Sequence, residues 1–493
     1  MQAMPPVGFG DRVMRFLSIA AIAFAVAVPS LPHQNARFTM VTGDAIVRVA
    51  SGQSQSVAAF ARRSGAQNVQ ALDTLDVVSA HLDAAATRAL AANVAVRAIE
   101  ADGAIAASNL GPGGELPRGN GPEVNEGQAF RSLTSGTGAS VTVAVVDSGV
   151  ADNTDLAGKI LTRVDFVNDG VTSYDPGGHG TYIAGLIAGT VTGINPNAKI
   201  VSLRVLNERG VGRVRSALAA FDWLLRHRLD YRIRVVNLSW GAKQLSSYND
   251  DVLAAAAESL WFAGLTVVTA AGNDGPHAGT INTPGGDPFV ITVGSVDQDG
   301  TTAQGDDRES VWSSRGPTRD GFSKPDLLAP GEDVVSLRVP GSFLDQWYSD
   351  HDSETGPNYT TMSGTSVSTA IVSGTASLLL AERPALTPTL VKTVLVATAM
   401  KVKGSTTPEL VPTRALHFNN GRDTRKPANS GLHPSKLLLA MLAGMIGGSN
   451  VTWENITWES ITWETITWEN ITWESLTWES LTWESLTWET RRE

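Results

Sequence analysis

Three separated segments of the sequence contain the side chains that acyl transfer requires. Asp147 ends an apolar run and precedes a glycine turn, His179 begins a segment rich in small residues, and Ser366 precedes an apolar helical run. Each has an ordinary alternative: a turn aspartate, a structural histidine and a serine that caps a helix. A serine hydroxyl becomes a nucleophile when an imidazole takes its proton and a carboxylate orients that imidazole. The three side chains taken together indicate this chemistry, in the chain order Asp, His, Ser.

The elements that must position these side chains alternate between strand and helix. The β-branched run 141–146 predicts a strand that is buried on both faces of a parallel sheet. Further strands are predicted over 200–206, 235–238, 265–269 and 289–293, and helices over 214–225 and 253–260. Such alternation predicts an α/β fold, a doubly wound parallel sheet with helices on both faces. Functional groups of such sheets lie at the carboxyl ends of strands, where Asp147 stands.

From about residue 126 to residue 400 the chain resembles the subtilisin-like serine proteases, the subtilase family. The resemblance rests on three blocks that are specific when found jointly, over 145–149, 177–185 and 361–374. It implies that Asp147 is the orienting carboxylate, that His179 is the general base and acid, and that Ser366 is the nucleophile. It also implies a subtilisin-like fold for this part of the chain.

The resemblance further implies a binding site for a peptide. The segment 270–275 is similar to the family's oxyanion-hole segment, in which Asn273 and the main-chain N–H of Ser366 donate to the tetrahedral oxygen. Asn-Asp-Gly is also a common turn sequence. The segment 210–212 resembles an exposed edge that pairs with a substrate strand. The residues implied in substrate binding are Gly210, Val211 and Gly212 on that edge, and Ser239, Trp240, Gly241, Ala271 and Gly272 around the primary specificity pocket.

The chain departs from the family pattern at four places. Tyr182 stands where a second histidine is usual, 367–368 is Val-Ser in place of Met-Ala, and Ala370 replaces a proline. None of these residues supplies a group that the mechanism requires, so efficiency and pocket shape are the properties affected. The loop 189–194 is short where many relatives carry a calcium-binding insertion. We therefore predict no metal site and no cofactor requirement for the chemistry; a structural calcium elsewhere is left open and is not predicted.

The first 36 residues have the pattern of a secretory signal peptide. Arg12 and Arg15 precede an apolar run over 16–28, after which a proline-containing segment follows. The run has 13 residues, whereas a membrane-spanning helix needs about 20. A buried core helix is the alternative. The pattern predicts a secreted protein, extracellular or on the cell surface, with no membrane span in the mature chain.

The sequence predicts four further segments, two domains and two linkers. Residues 37–106 predict a small α+β unit, and their position implies, by the resemblance, an inhibitor-type propeptide that blocks the active site. Strands are predicted there over 45–49, 76–82 and 94–99, and helices over 54–63 and 83–92. A Gly- and Pro-containing linker is predicted over 107–125, with autocatalytic cleavage inside it. The catalytic domain is predicted over 126–405 and a second linker over 406–450.

The tail is unlike the rest of the chain. Residues 451–490 form eight pentapeptides of the type Ile-Thr-Trp-Glu-Ser, and they hold eight of the 13 tryptophans. The segment 451–493 has nine acidic and two basic residues, which is most of the formal net charge of -11. A low-complexity appendage and a surface module for glycan binding or self-association are both compatible with this composition. The partner of the tail is not identified by the sequence.

Composition excludes several classes of function. The chain has no cysteine, which excludes disulfides and thiolate metal sites. Its acidic balance excludes general nucleic-acid binding, because phosphate contacts need clustered Lys and Arg.

We predict a secreted serine endopeptidase that acts on polypeptides through an acyl-enzyme and is made as a self-processed precursor. The alternative is a catalytically weak subtilase scaffold that binds a surface through its Trp-rich tail; an esterase with the same triad is disfavoured by the peptide-pairing edge.

Overall fold

The structure is a computed structural model, which describes residues 40–108, 140–301, 303–347, 355–418 and 426–445. All of them belong to one compact unit, Thr39–Glu493. The predicted signal region 1–36 and the pentapeptide repeats 451–490 lie outside the described residues. So does most of the predicted 107–125 linker.

The N-terminal part is an antiparallel sheet covered by two helices. Its elements are β1 (Gly43–Val49), α1 (Ser54–Arg63), β2 (Gln67–Leu72), β3 (Val77–Leu82), α2 (Ala84–Ala91) and β4 (Val96–Ala101). The strand order is β2-β3-β1-β4, and α1 and α2 pack against each other. The Asp83 carboxylate accepts hydrogen bonds from the Ala85 and Ala86 amides, so it caps α2. The described part of 37–106 has the predicted α+β character. Strand β2 was not predicted, because its polar sequence has no alternation of buried residues.

The later elements form three sheets, of ten, four and two strands, with helices around them. The strands are β5 (Ala104–Ala107), β6 (Thr142–Asp147), β7 (Ile160–Asp165), β8 (Lys199–Arg204), β9 (Val211–Arg213), β10 (Ile233–Leu238), β11 (Trp240–Lys243), β12 (Thr266–Ala270), β13 (Asn282–Thr283), β14 (Ile291–Asp297), β15 (Arg308–Glu309), β16 (Leu327–Pro330), β17 (Val334–Leu337), β18 (Tyr359–Met362), β19 (Met400–Lys401) and β20 (Pro408–Glu409). The helices are α3 (His179–Ala188), α4 (Val214–His227), α5 (Val252–Phe262), α6 (Phe343–Trp347), α7 (Thr365–Glu382), α8 (Pro388–Thr398), α9 (Pro412–His417) and α10 (Lys436–Met445).

The main sheet is parallel at its centre, as predicted. Its order is β7-β8-β6-β10-β12-β14-β16-β20-β19, with β15 antiparallel beside β14 and β19 antiparallel beside β20. Every residue of β6 and of β12 is buried, which requires a cover on both faces of the sheet. Helices α3 and α7 pack against each other, and α4 packs against α5. The β-branched strands and the Ala-rich α5 explain this close layering, since small helix residues allow close approach to the sheet.

The sheet continues beyond the predicted end of the catalytic domain at 405. Strand β20 pairs in parallel with β16, and α9 packs against α7 and α8. Helix α10 packs against α5. The predicted 406–450 linker is therefore too long, because its described parts include a strand of the main sheet and two packed helices. Local composition does not reveal these elements, since they depend on pairing and packing with distant parts of the chain. Among the described residues, no helix is long and apolar enough to cross a membrane.

Candidate active site

Asp147 and His179 meet at the end of β6 and the start of α3. The His179 Nδ1 atom lies 2.7 Å from Asp147 Oδ1, and both side chains are buried. Asp147 Oδ1 also accepts the Ser148 amide at 2.7 Å. The turn needs glycine at 149, whose φ of +112° is unfavourable for other residues, and at 180, where a Cβ would lie 2.0 Å from the Gly149 carbonyl oxygen. Two glycines thus let the strand end and the helix start approach closely enough for this hydrogen bond.

A second buried carboxylate, Asp175, fixes the loop that precedes His179. One of its oxygens accepts from Ser148 Oγ and from the Gly178 amide, both at 2.8 Å. The other accepts from the Thr181 amide at 2.8 Å and from Thr181 Oγ1 at 2.5 Å. Burial raises the pKa of Asp175, and these hydrogen bonds oppose that shift. Sequence reasoning missed Asp175; an acidic residue four positions before a helix-starting histidine was the available signal.

Ser366 lies in the first turn of α7 and is fully buried. Its main-chain carbonyl accepts the Ser239 hydroxyl at 2.9 Å, which ties the turn to the end of β10. The Ser366 hydroxyl and His179 Nε2 are both buried polar atoms that have no hydrogen-bond partner among the described residues. A buried polar atom without a partner is costly, so these two atoms are available to a polar group that binds beside them.

The Asn273 side chain and the Ser366 amide point to one carbonyl oxygen. The Ser108 carbonyl accepts from Asn273 Nδ2 and, at 3.4 Å, from the Ser366 main-chain N–H. The Asn273 amide is oriented by its own oxygen, which accepts from the Thr365 amide at 3.1 Å and from the Thr365 hydroxyl at 2.9 Å. The two groups predicted to share an oxyanion therefore converge on the same acceptor.

The segment that carries Ser108 lies as a strand between two predicted substrate-binding segments. Strand β5 is antiparallel to β9 on one side and to β11 on the other. The Ala107 amide donates to the Gly210 carbonyl at 2.8 Å, and the Ser108 amide donates to the Ser239 carbonyl at 3.0 Å. Ile105, opposite Gly212, is buried. Sequence reasoning placed a linker from 107 onward, because a four-residue Ala-rich strand has no signal of its own.

Asn282 lies beside two of the glycines that the resemblance places around a specificity pocket, Gly241 and Gly272, and the sequence did not reveal it. A Cβ on Gly241 would lie 2.8 Å from Asn282 Cβ, and a Cβ on Gly272 would lie 2.5 Å from Asn282 Nδ2. The Asn282 amide donates to the Ala271 carbonyl at 2.9 Å. The Asn282 side chain thus lies close to both glycines. Trp240 is fully buried, and its Nε1–H donates to the Val146 carbonyl at 2.8 Å. No local motif identifies Asn282, whose position depends on the pairing of β11 with β13.

The residues that depart from the family pattern have structural contacts. The Tyr182 hydroxyl donates to the Val334 carbonyl, which links α3 to β17. The Ser368 hydroxyl donates to the Ala329 carbonyl at 2.9 Å. Ala370 is fully buried in α7. Tyr182, Ser368 and Ala370 are thus part of the packed interior of the protein. The hydrogen bonds described above for the Ser108 carbonyl come from Asn273 and Ser366 instead.

The short loop 189–194 is held by protein groups. Asp155 Oδ2 accepts the Val191 amide at 3.1 Å, and the Lys159 ammonium donates to the Ala188 carbonyl at 2.6 Å and to Thr190 Oγ1 at 2.8 Å. Within the described ranges, no group of three or more His, Asp or Glu side chains is arranged to hold a metal ion.

Comparison with known proteins gives consistent matches. Residues 138–426 match the family described as "Subtilase family". Serine protease AprX of Bacillus subtilis (strain 168) is 41% identical over 271 residues, which are 52% of this chain and 61% of AprX. Extracellular serine proteinase of Thermus sp. (strain Rt41A) is 33% identical over 266 residues, 54% of this chain and 56% of the relative. The chain thus spans about six tenths of the length of these relatives.

One solved structure shares the fold. The crystal structure of fervidolysin from Fervidobacterium pennivorans, described as a keratinolytic enzyme related to subtilisin, superimposes with a TM-score of 0.59. The match covers 77% of this chain and 61% of the fervidolysin chain, at 23% sequence identity. At that identity the likeness concerns the fold alone.

Proposed function

Because the chain belongs to the subtilase family, we propose that it is a serine endopeptidase that hydrolyses peptide bonds through an acyl-enzyme on Ser366. One observation carries the proposal: a peptide carbonyl of the chain itself, that of Ser108, accepts hydrogen bonds from Asn273 and from the Ser366 amide. The strand that leads to this carbonyl pairs on both sides as an extended substrate does in β-augmentation.

The proposed mechanism uses the groups around that carbonyl. The Ser366 hydroxyl attacks the carbonyl carbon, and its proton passes to His179 Nε2. Asp147 accepts the Nδ1–H of His179 at 2.7 Å, which selects the tautomer with a free Nε2 and stabilises the imidazolium. The imidazolium then protonates the leaving amine, and a water molecule, activated by the same imidazole, hydrolyses the acyl-enzyme. Asn273 and the Ser366 amide stabilise the negative oxygen in both tetrahedral intermediates.

We further propose that the Ser108–Asn109 bond is the self-processing site. This narrows the predicted cleavage region of 107–125 to one bond. The N-terminal unit is bound to α4, where Asp102 Oδ1 accepts the Arg215 amide at 2.9 Å and Asp222 Oδ1 accepts the Thr74 amide at 3.0 Å. These contacts support its role as an intramolecular inhibitor, because they anchor the N-terminal unit to α4 and so keep β5 between β9 and β11.

Secretion is part of the same proposal. Its support is the basic flank and apolar run of 12–28 and the name of the Thermus relative, Extracellular serine proteinase. The alternative of a weak scaffold that acts as a binding protein is not favoured, because the sequence retains Asp147, His179, Asn273 and Ser366. The peptide-like pairing of β5 likewise favours a peptidase over an esterase.

The experiment that tests the proposal is labelling with a fluorophosphonate probe, which reacts with an activated serine. The purified protein should be labelled once per chain, and its mature form should begin at Asn109 by N-terminal sequencing. The Ser366→Ala variant should remain an unlabelled, full-length precursor. Labelling that survives Ser366→Ala would disprove the nucleophile, and normal processing of that variant would assign the cleavage to another protease.

A further inference from the structure

The strand pair β17–β18 leads directly to the nucleophile. The two strands are antiparallel, and β18 ends just before the turn that presents Ser366. That turn is hydrogen-bonded to the start of β17, because the Asp333 amide donates to Ser363 Oγ at 3.0 Å and the Gly364 amide donates to the Gly331 carbonyl at 2.8 Å. The position of β17 and the position of the nucleophile are therefore linked.

Two buried hydroxyl groups link helix α3 to β17. The Tyr182 hydroxyl donates to the Val334 carbonyl, and the Ser336 hydroxyl donates to the Tyr182 carbonyl at 2.7 Å. All three residues are fully buried. About one turn further along α3, a Cβ on Gly185 would lie 2.7 Å from Leu337 Cγ, so the glycine permits a close approach of helix and strand. The helix that begins with the catalytic imidazole is thus hydrogen-bonded to the strand pair that leads to the nucleophile.

The segment after β17 also contacts the loop that precedes His179. The Phe343 and Leu344 amides donate to the Pro176 and Gly177 carbonyls, at 2.9 and 3.1 Å. These two bonds hold the main chain of the loop immediately before the histidine. The strand pair is therefore connected to His179 on both sides, through the loop before it and through the helix that it begins.

We propose that Tyr182 is a positioning residue that holds α3 against β17 and so keeps His179 within reach of Ser366. The proposal rests on the proposed peptidase function. Asp147 fixes the imidazole at the end of β6, which is a different element from those that present Ser366. Helix α3 also packs against α7, but apolar packing is non-directional. The directional hydrogen bonds of Tyr182 fix the position of α3 relative to the strand pair.

Loss of the Tyr182 hydroxyl should affect the chemical step and not peptide binding. The hydrogen bonds described above for the Ser108 carbonyl come from Asn273 and from the Ser366 amide, so they do not need this hydroxyl. A less firmly held α3 lets the imidazole move relative to the serine hydroxyl. Small displacements of a catalytic group lower the rate strongly, because the reacting atoms must be aligned.

The test compares Tyr182→Phe with Tyr248→Phe as the matched control. Both substitutions keep the ring and remove a hydroxyl that donates to a main-chain carbonyl, since Tyr248 donates to the His433 carbonyl at 3.0 Å beside α5 and α10. Active sites are first counted with the fluorophosphonate probe after processing is complete. Per labelled site, kcat of Tyr182→Phe on a peptide substrate should fall about tenfold, with KM within about twofold of the wild-type value. Tyr248→Phe should keep both constants.

The rate constant of labelling separates positioning from peptide binding. The probe reacts with Ser366 through its activation by His179 and needs no peptide, so this rate constant should fall in Tyr182→Phe by the same factor as kcat. Ser336→Ala removes the other bond between α3 and β17 and should lower both rates, which tests the proposal if Tyr182→Phe does not fold. An unchanged labelling rate, or fewer labelled sites with an unchanged kcat per site, would overturn the proposal. A wild-type protein that is not labelled would instead refute the peptidase function.

Discussion

Replacement of Asp175 by Asn tests whether the loop before His179 positions the imidazole. Asn has nearly the same shape as Asp, but one of its two terminal atoms is an NH₂ group that cannot accept a hydrogen bond. The Asp175 oxygens accept four hydrogen bonds, two from the Ser148 hydroxyl and the Gly178 amide and two from Thr181. With the NH₂ group toward Thr181, the Thr181 hydroxyl can rotate to accept, but the Thr181 amide loses its acceptor.

The size of the effect follows from that one unpaired amide. A buried donor without an acceptor costs about 1–3 kcal/mol, and the remaining bonds weaken because the charge is lost. Removing a buried charge, whose pKa burial has raised, offsets part of this cost. We expect the free energy of unfolding to fall by about 2 kcal/mol. We also expect His179 to shift, and displacements of about 1 Å can lower kcat/KM about 10²-fold.

Two measurements separate these effects. Urea unfolding gives the stability change, and kcat/KM is expressed per site labelled by the fluorophosphonate probe. Asp155→Asn is the matched control, because the Asp155 carboxylate is also buried and accepts a backbone amide, but that amide belongs to Val191 in the loop after α3. The control should lose stability and keep its kcat/KM per site. A wild-type kcat/KM per site in Asp175→Asn would show that Asp175 does not position His179.

Three further outcomes are expected. Asn273→Ala should lower kcat about 10²–10³-fold, a range established on a subtilisin, with little change in KM, because it removes one oxyanion donor; an equal loss in KM would contradict this role. Ser108→Phe should slow self-processing at least about tenfold relative to Ser108→Ala, followed as disappearance of the precursor on gels, because Ser108 is buried with its amide and carbonyl hydrogen-bonded and a larger side chain would displace that carbonyl from Asn273; equal rates would show that the site accommodates a large side chain. Stability should also depend on Glu258 ionisation. The raised pKa of Glu258 means that the folded state keeps a proton which the unfolded state releases, so the stability is fully present below the ordinary carboxyl pKa and is lost as pH rises through the raised value. Asp287, Tyr248, Lys324 and Asp320 are the charged or titratable groups around this site. Urea unfolding of Glu258→Gln should show a smaller loss between weakly acidic and alkaline pH than the wild type, and parallel curves would assign the pH dependence to another group.

Local sequence was sufficient for the elements that carry a strong pattern of their own. The β-branched run that becomes β6 predicted a strand buried on both faces, and the parallel sheet around it is confirmed. Helix α1 has the predicted bounds, and the helix predicted over 83–92 is α2, which Asp83 caps. The weak elements were missed for a physical reason. Strand β5 has no alternation and forms because β9 and β11 offer hydrogen-bonding edges on both sides.

The chemical groups of the site and their order along the chain could be read from local sequence. Asp147, His179 and Ser366 could be selected because acyl transfer needs those side chains, and their neighbouring glycines permit the tight turns that present them. Which groups surround the site depends on the fold. The approach of Asn282 to Gly241 and Gly272, and the hydrogen bonds from Asn273 and Ser366 to the Ser108 carbonyl, depend on strand pairing and helix packing. The physical reason is that burial and hydrogen bonding act between groups close in space, and a local pattern contains no record of which distant residues the fold brings together.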